Sequence, residues 1–346
     1  VFADLLQMSS PNFSYFVERT PYIDHIVVGE GERAIAGLLA GRFAPDKRII
    51  GPKDFREGSI DLRHAPLPDY DDLDVDAYLQ LSTYSSRSCP FQCSFCSETV
   101  QWGQYRTRPA EKIADELVAL KAKFDRRLFL FGDSLLNPVI DELSEVLLRR
   151  GVDVLYDAYL RADIEVTDLE RVRKWRRSGF YRARLGIESG SEAMLAEMNK
   201  QTVVDQIGQA IDRLASCGVK TTTYWVVGHP GESESNFQDT LNMLRDNAPN
   251  IYEAEGHPFQ FFPSGQIASK KWSKENPFTS VYPEAFDEIL LTRRYHLSTA
   301  PPRPEIFDRV CRFNATAVEL SIPNPYALWE INEADRRWSS LQPNAV

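Results

Sequence analysis

The stretch 152-VDVLYDAYLRADIEVTDLERVRKWRRSGFYRARLGIESG-190 decides the fold of this chain. Residues 152–159 form an apolar, β-branched and aromatic run, and 181–187 form another. Between them, residues 167–178 space Leu169, Val172 and Trp175 on one helical face. Thr167, with Asp168 and Glu170 in the first turn, reads as the start of that helix, and Gly179 as its stop. A strand, a helix and a second strand in this order predict a right-handed crossover between parallel strands.

The same pattern repeats outward in both directions. Strands are expected at 81–85, 127–131, 219–227 and 259–262, and helices at 110–124, 137–150, 203–217 and 232–247. Gly151 and Gly218 sit where helix-ending glycines belong. Six such units imply an α/β fold with a parallel sheet and helices outside it, either doubly wound or barrel-like. Functional residues then belong beyond the carboxyl ends of the strands.

Just past the first strand lies 86-SRSCPFQCSFCSE-98, with three of the chain's five cysteines in C-x3-C-x2-C spacing. A structural zinc site normally takes four ligands, often as two separated C-x2-C knuckles, and no second knuckle follows. Cys217, before Gly218 at a helix end, reads as a structural thiol. Three thiolates with an open position suit an iron–sulfur cluster whose remaining iron binds a ligand directly.

These features together resemble the radical S-adenosylmethionine (SAM) enzymes over residues 81–265. The resemblance rests on Cys89, Cys93 and Cys96, on the aromatic Phe95 before the third cysteine, and on three later strand-end motifs. It implies a (β/α)6 partial TIM barrel, a [4Fe–4S] cluster on the three cysteines, and SAM as cofactor, with Phe95 near the adenine. Gly132, Asp133 and Ser134 loosely match the stretch that receives the methionyl ammonium, although Ser134 also reads as an ordinary helix cap. Arg161 would meet the SAM carboxylate or sit in a surface ion pair. In 185-LGIESGSEAMLAEMNK-200, Glu188 and Ser189 would contact the ribose or methionine portion of SAM; the plainer reading has Glu188 capping the next helix. Gly228, His229 and Pro230, in 226-VVGHPGESESNF-237, would lie along the adenine. Tyr224 and Trp225 are candidates for the substrate cavity, with core packing as the alternative.

The N-terminal stretch 22-YIDHIVVGEGERAIAGLLAG-41, read as a strand, a Gly29/Gly31 turn and a helix, is similar to the end of a Rossmann-like cobalamin-binding domain. With the Pro- and Asp-rich 65-APLPDYDDLDVDAY-78, it points to the cobalamin-dependent, methyltransferase-like group. The expected organisation is a domain remnant at 1–51, a linker at 52–80, the barrel at 81–265, and a C-terminal subdomain or lid at 266–346. Val1 in place of an initiator Met suggests that part of the first domain lies upstream. No D-x-H-x-x-G stretch for a lower cobalt ligand is present, and 6-LQMSSPNFSYF-16 departs from the Gly-Gly turn of that group. Cobalamin is therefore a third candidate cofactor rather than a reading of the residues.

Composition bounds the remaining choices. The chain has 346 residues, 43% hydrophobic and 26% charged, with a formal net charge of −10. That balance suits a globular core and disfavours nucleic acid or an anionic membrane as partner. Few cysteines, used as ligands, suggest a reducing cytoplasm. The expected reaction is radical modification of a small-molecule or peptide substrate in natural-product biosynthesis, methylation first. The expected electron donor is of the flavodoxin or ferredoxin class. Radical dehydration or rearrangement with a vestigial cobalamin-type domain is the alternative enzyme. A non-catalytic iron–sulfur or zinc interaction protein is the alternative from another class.

Overall fold

The computed structural model describes residues 8, 10–269, 272, 277–324 and 336–341. The chain divides into two compact units that do not follow chain order. One comprises Val1–Ala65, Ser88–Arg106 and Gln260–Thr299; the other comprises Pro66–Arg87, Thr107–Phe259 and Ala300–Val346.

The second unit is built on a six-stranded parallel sheet: β1 (Leu81–Thr83), β2 (Leu128–Phe131), β3 (Leu155–Arg161), β4 (Phe180–Glu188), β5 (Lys220–Val227) and β6 (Glu253–Pro258). The strands lie side by side in chain order and every pair is parallel. The intervening helices are α1 (Ala110–Phe124), α2 (Asn137–Arg150), α3 (Leu169–Arg177), α4 (Val204–Ser216) and α5 (Glu234–Asp246); α6 (Arg303–Glu319) returns to pack on the β6 end.

Alternation along each strand sorts the side chains. Phe129, Phe131, Tyr156, Ala158, Leu160, Ala183, Leu185, Ile187, Trp225 and Ala254 join one core with the buried faces of the helices. The other face of the sheet is polar, carrying Asp157, Arg182, Arg184, Thr222 and Glu253. An amphipathic sheet of this kind, with helices on one side only, is what the βα repeat calls for.

The structure shifts several expected boundaries. The sixth strand is Glu253–Pro258, not 259–262, and it forms from a sequence with little strand propensity. The Glu253 carboxylate is held by Arg182 and by Thr222 Oγ1 at 3.1 Å. Gly256 admits the Phe313 ring, whose Cδ1 would stand 2.4 Å from an added Cβ. Pro258 falls at the end of an edge strand, where a missing N–H is tolerated. The cap of α3 is Asp168 rather than Thr167; its carboxylate accepts from the Glu170 and Arg171 N–H groups at 2.9 and 3.2 Å. Ser134 caps no helix, because α2 begins at Asn137 with Leu136 at its N-cap.

The first unit holds the helix Pro11–Arg19, a short parallel pair of Ile26–Val27 with Ile49–Ile50, the helix Glu32–Leu39, and an antiparallel pair of Phe278–Ser280 with Tyr295–Leu297. Its distant segments are joined by specific bonds. Asn12 Nδ2 donates to the Arg293 carbonyl at 2.8 Å, and the Arg293 N–H donates to Asn12 Oδ1 at 2.7 Å. Glu30 accepts from Arg106 Nη1 at 2.8 Å and from the Ile60 N–H at 2.8 Å. The expected strand and helix of this region are present, at Ile26–Val27 and Glu32–Leu39. Parts of the expected C-terminal subdomain, at 270–271, 273–276, 325–335 and 342–346, lie outside the described residues, as do 1–7 and 9 of the expected remnant.

Candidate functional site

The cysteine segment belongs to the first unit. Cys93 is buried, Cys89 and Cys96 are half-buried, and none of the three is in a disulfide. A tight turn links the last two: the Cys96 N–H donates to the Cys93 carbonyl at 3.1 Å, and the short helix Glu98–Trp102 follows at once. The Glu98 N–H donates to Cys96 Sγ at 3.5 Å. Burial pushes the Cys96 thiol up to about 12, and the neighbouring Cys93 and Cys89 add to the rise. Phe95 is half-buried beside them in sequence. Among the described residues, no three His, Cys, Asp or Glu side chains converge on a single ion. A four-iron cluster does not ask for that convergence, because each cysteine binds a different iron. Three undisulfided thiols within eight residues, two of them on one turn and one with a backbone N–H on its sulfur, fit such a cluster.

The remaining expected site residues lie in the second unit, at or beyond the carboxyl ends of β2 to β5 except Tyr224 and Trp225, which lie within β5. After β2, Gly132 is exposed and an added Cβ would meet little, the nearest atom being the Thr83 carbonyl oxygen at 3.9 Å. Asp133 is 9% exposed and already engaged. Its carboxylate accepts from the Ser85 N–H at 2.9 Å, the Ser85 hydroxyl at 2.5 Å and the Ser86 hydroxyl at 2.8 Å. Burial raises its pKa and these bonds oppose the rise. Asp133 therefore clamps the chain leaving β1 and has little capacity left for an ammonium ion. Gly132, with an open backbone, suits that task better than its neighbour does.

At the end of β3, Arg161 is 5% exposed, which excludes the surface ion pair. Its Nε donates to Asp163 Oδ1 at 3.1 Å, and an Nη donates to the Lys200 carbonyl. Asn137 brackets its backbone, accepting from the Arg161 N–H at 2.9 Å and donating to its carbonyl at 3.1 Å.

At the end of β4 the register with β5 slips between Gly186 and Glu188. The irregularity, together with a φ of 68° at Glu188, turns this side chain out of the regular alternation. Glu188 meets Lys200, whose Nζ donates to Oε1 at 2.7 Å, with side-chain exposures of 5% for the lysine and 9% for the glutamate. Gly186 is obligatory beneath the pair: an added Cβ would lie 2.5 Å from Glu188 Oε1 and 2.9 Å from Lys200 Nζ. Glu188 is thus not a helix cap. Ser189 is fully buried, its hydroxyl 3.1 Å from Thr240 Oγ1 and accepting from the Ser191 N–H at 3.1 Å. These bonds hold the loop and leave Ser189 a supporting part.

Lys200 escaped the sequence reading, although it closes the quoted motif. The structure signals it twice: Asn199 and Gln201 on either side are left-handed, at φ 52° and 58°, and Thr202 carries a buried hydroxyl with no partner among the described residues. Strain and an orphaned donor beside a buried ion pair make this a candidate ligand cradle. The chemistry of this cradle fits an amino acid bearing a diol-containing group: a carboxylate for hydroxyls, cations for a carboxylate, and open backbone at Gly132.

After β5, Gly228 has φ 80°, and a Cβ there would lie 2.5 Å from Ile306 Cγ1. Its N–H donates to Glu232 Oε2 at 2.9 Å, and Arg309 Nη1 donates to the same carboxylate oxygen at 2.8 Å. His229 is buried at 1% exposure with Nδ1 3.0 Å from the Pro230 carbonyl, which fixes the proton on that nitrogen; burial lowers its pKa to about 4. A neutral ring so placed shapes the loop. Pro230 itself is half-buried.

The two substrate candidates part company. Tyr224 lies on the polar face, where its hydroxyl accepts from Arg184 Nη1 at 3.2 Å. Trp225 is wholly buried on the helix side, its ring 5.7 Å from that of Phe313 and its Nε1 donating to Thr223 Oγ1 at 3.0 Å. Successive strand residues face opposite ways, so only Tyr224 can line a site on the polar face.

A model of the Radical SAM superfamily matches residues 83–244. An anaerobic magnesium-protoporphyrin IX monomethyl ester cyclase of Rubrivivax gelatinosus is 26% identical over 324 residues, covering 85% of this chain and 55% of that protein. An uncharacterized methyltransferase of Pyrococcus horikoshii is 26% identical over 266 residues, covering 69% of this chain and 57% of the other. The chain thus spans about half the length of the relatives it matches. Among solved structures, the radical SAM methyltransferase TsrM from Kitasatospora setae, with cobalamin and a [4Fe–4S] cluster bound, aligns with a TM-score of 0.60 at 14% identity, over 76% of this chain and 61% of that one. The cobalamin-dependent SAM radical enzyme OxsB aligns at 0.55 and 20% identity, over 70% of this chain and 38% of that one. At these identities the likeness is one of fold.

Proposed function

Because the chain carries a radical SAM domain, we infer that it is an enzyme that cleaves SAM reductively and modifies an unactivated position of a small organic substrate, by methylation in the first reading. The observation that carries this is the cradle at the strand ends: Glu188 paired with Lys200 over Gly186, with Arg161 behind them. A sheet-end turn with only a structural role has no use for a buried ion pair flanked by two left-handed residues.

Roles follow residue by residue. Cys89, Cys93 and Cys96 hold the [4Fe–4S] cluster. Gly132 offers its carbonyl to the SAM ammonium, and Asp133 keeps the preceding turn in shape through Ser85 and Ser86. Glu188 accepts from the ribose hydroxyls, and Lys200 or Arg161 meets the carboxylate. Gly228, His229 and Pro230 present a flat, uncharged loop to the adenine, kept so by the neutral His229 ring. Phe95 adds an aromatic surface. When bound, the cluster and SAM would supply radical hydrogen-atom abstraction, and a corrinoid would supply the methyl group. The fold likeness to two cobalamin enzymes supports the corrinoid. The cyclase relative, matched over 85% of this chain, favours a second reading in which the substrate radical closes a ring or loses a group without methylation.

The test is anaerobic reconstitution with iron and sulfide, followed by dithionite and SAM. Wild-type protein is expected to hold about four irons per chain and to form 5′-deoxyadenosine. Cys93→Ala is expected to lose both, and Cys217→Ser to lose neither. Iron retention in Cys93→Ala, or a cluster that leaves SAM intact, overturns the reading. Hydroxocobalamin retained near one per chain supports methylation, and none retained favours the second reading.

A further inference from the structure

The polar face of the sheet continues sideways from the SAM cradle. In register, Arg161 pairs with Gly186, Gly186 with Tyr224, and Tyr224 with Glu255. Each step is one strand spacing, about 4.8 Å. Tyr224 and Glu255 are therefore about 5 and 10 Å from the glycine under the Glu188–Lys200 pair, within reach of a substrate that must touch SAM.

Two of the carboxylates on this face have guanidinium partners. Asp157 receives Arg184 through Nε at 2.9 Å and Nη2 at 2.7 Å. Glu253 receives Arg182. Glu255 has no guanidinium or ammonium partner among the described residues. Its one contact is His257 Nε2 at 3.1 Å, and an imidazole is not a fixed charge in the way a guanidinium is. The Glu255 side chain is nevertheless only 12% exposed, so water does not compensate it fully.

Aromatic rings surround the same spot. The Tyr224 ring lies 6.2 Å from that of His257 at 12°, and 5.8 Å from that of Tyr159 at 36°. Arg184 is spent on Asp157, on the Tyr224 hydroxyl and on the Tyr159 ring, whose centroid is 5.6 Å from its Cζ, so the charge of Arg184 is balanced by Asp157 and the Tyr159 ring is already taken. Ring faces carry negative potential, and a half-buried carboxylate beside them makes a receptor for a cation.

We propose that Glu255, with the rings of Tyr224 and His257, binds a protonated amine or other cationic nitrogen of the substrate and so holds it against the SAM cradle. The proposal rests on the radical SAM reading and names the substrate class: a base, positive at neutral pH, with a flat or apolar body next to the charge.

Three probes of one shape test it: benzylamine, benzyl alcohol and phenylacetate, offered to the reconstituted protein in equilibrium dialysis. Benzylamine is expected to bind at least about tenfold more tightly than either of the others. Glu255→Gln is expected to abolish that preference, and Tyr224→Leu to weaken benzylamine severalfold, with iron content and melting temperature reporting folding. Equal binding of the three probes by wild-type protein overturns the proposal without any variant. So does a folded Glu255→Gln protein that still prefers the amine. The two readings fail separately. Protein that forms 5′-deoxyadenosine but shows no amine preference refutes the cation site alone, whereas amine preference without SAM cleavage refutes the radical reading.

Discussion

Replacing Lys200 with Met keeps the length and apolar stem of the side chain and removes its charge. The structure sets the size of the effect. Lys200 Nζ is 2.7 Å from Glu188 Oε1, with 5% and 9% of the two side chains exposed. Lys200 is the one partner the Glu188 carboxylate has among the described residues. Breaking a buried pair from one side leaves a desolvated charge, at a cost of about 3–5 kcal/mol. The double variant Lys200→Met/Glu188→Gln removes that charge, and most of the loss is expected to return, giving a coupling of at least about 2 kcal/mol. Urea unfolding of wild type, Lys200→Met, Glu188→Gln and the double variant measures this. SAM affinity, taken by equilibrium dialysis on reconstituted protein, measures the ligand role separately. Both variants are expected to bind SAM at least about tenfold more weakly, the double variant included, although its stability has recovered. A Lys200→Met protein within about 1 kcal/mol of wild type refutes the burial argument. A double variant with wild-type SAM affinity refutes the assignment of the pair to SAM.

Two further perturbations probe the β5 loop. Gly228→Ala places a Cβ 2.5 Å from Ile306 Cγ1 at a φ of 80°, and is expected to cost about 2–3 kcal/mol in urea unfolding. Adding Ile306→Ala should recover the steric part and leave the backbone part; full recovery would show that the backbone is not strained. His229 binds its proton at about 4 in the folded chain against an ordinary 6.5, so protonation favours unfolding. Its stabilising contribution is complete above pH 6.5 and falls as the pH drops toward 4, by about 2 kcal/mol at pH 5 and about 3 at the lower end. Urea midpoints at pH 7 and 5 should show a smaller difference in His229→Gln than in wild type; equal differences would place the titration elsewhere.

The parts of the fold legible in sequence are those whose cause is local. The spans 110–124 and 137–150 were read to the residue, because an apolar stripe and a stop signal fix a helix without reference to the rest of the chain. The sixth strand was not legible. Glu253 and Gly256 reveal nothing until Arg182, Thr222 and Phe313 arrive from 31 to 71 residues away. For the same reason α6, whose Arg309 is buried against Glu232, was not separated from the expected C-terminal subdomain or lid. In the site, the cysteines and the Gly186–Glu188 motif were visible because their spacing is itself the signal. Lys200 was hidden as one cation among 40 lysines and arginines. Asp133 was misjudged because an acidic residue in a turn looks the same whether two serines already occupy it or not. The polarity of Glu255 was readable, but its lack of an arginine needed the register of three strands.

The two units interleave along the chain, which passes from one to the other at 65/66, 87/88, 106/107, 259/260 and 299/300. Neither can be excised as a single stretch. A gene fragment cut to the residues of the sheet, from 81 to 265, would keep the three cysteines but strip their unit of its segments before 65 and after 265, and would remove α6 from beside β6. Modular exchange in this protein therefore has to move noncontiguous segments together. The cysteine segment, 19 residues long from Ser88 to Arg106, would travel with the flanking unit rather than with the sheet that holds the other motifs.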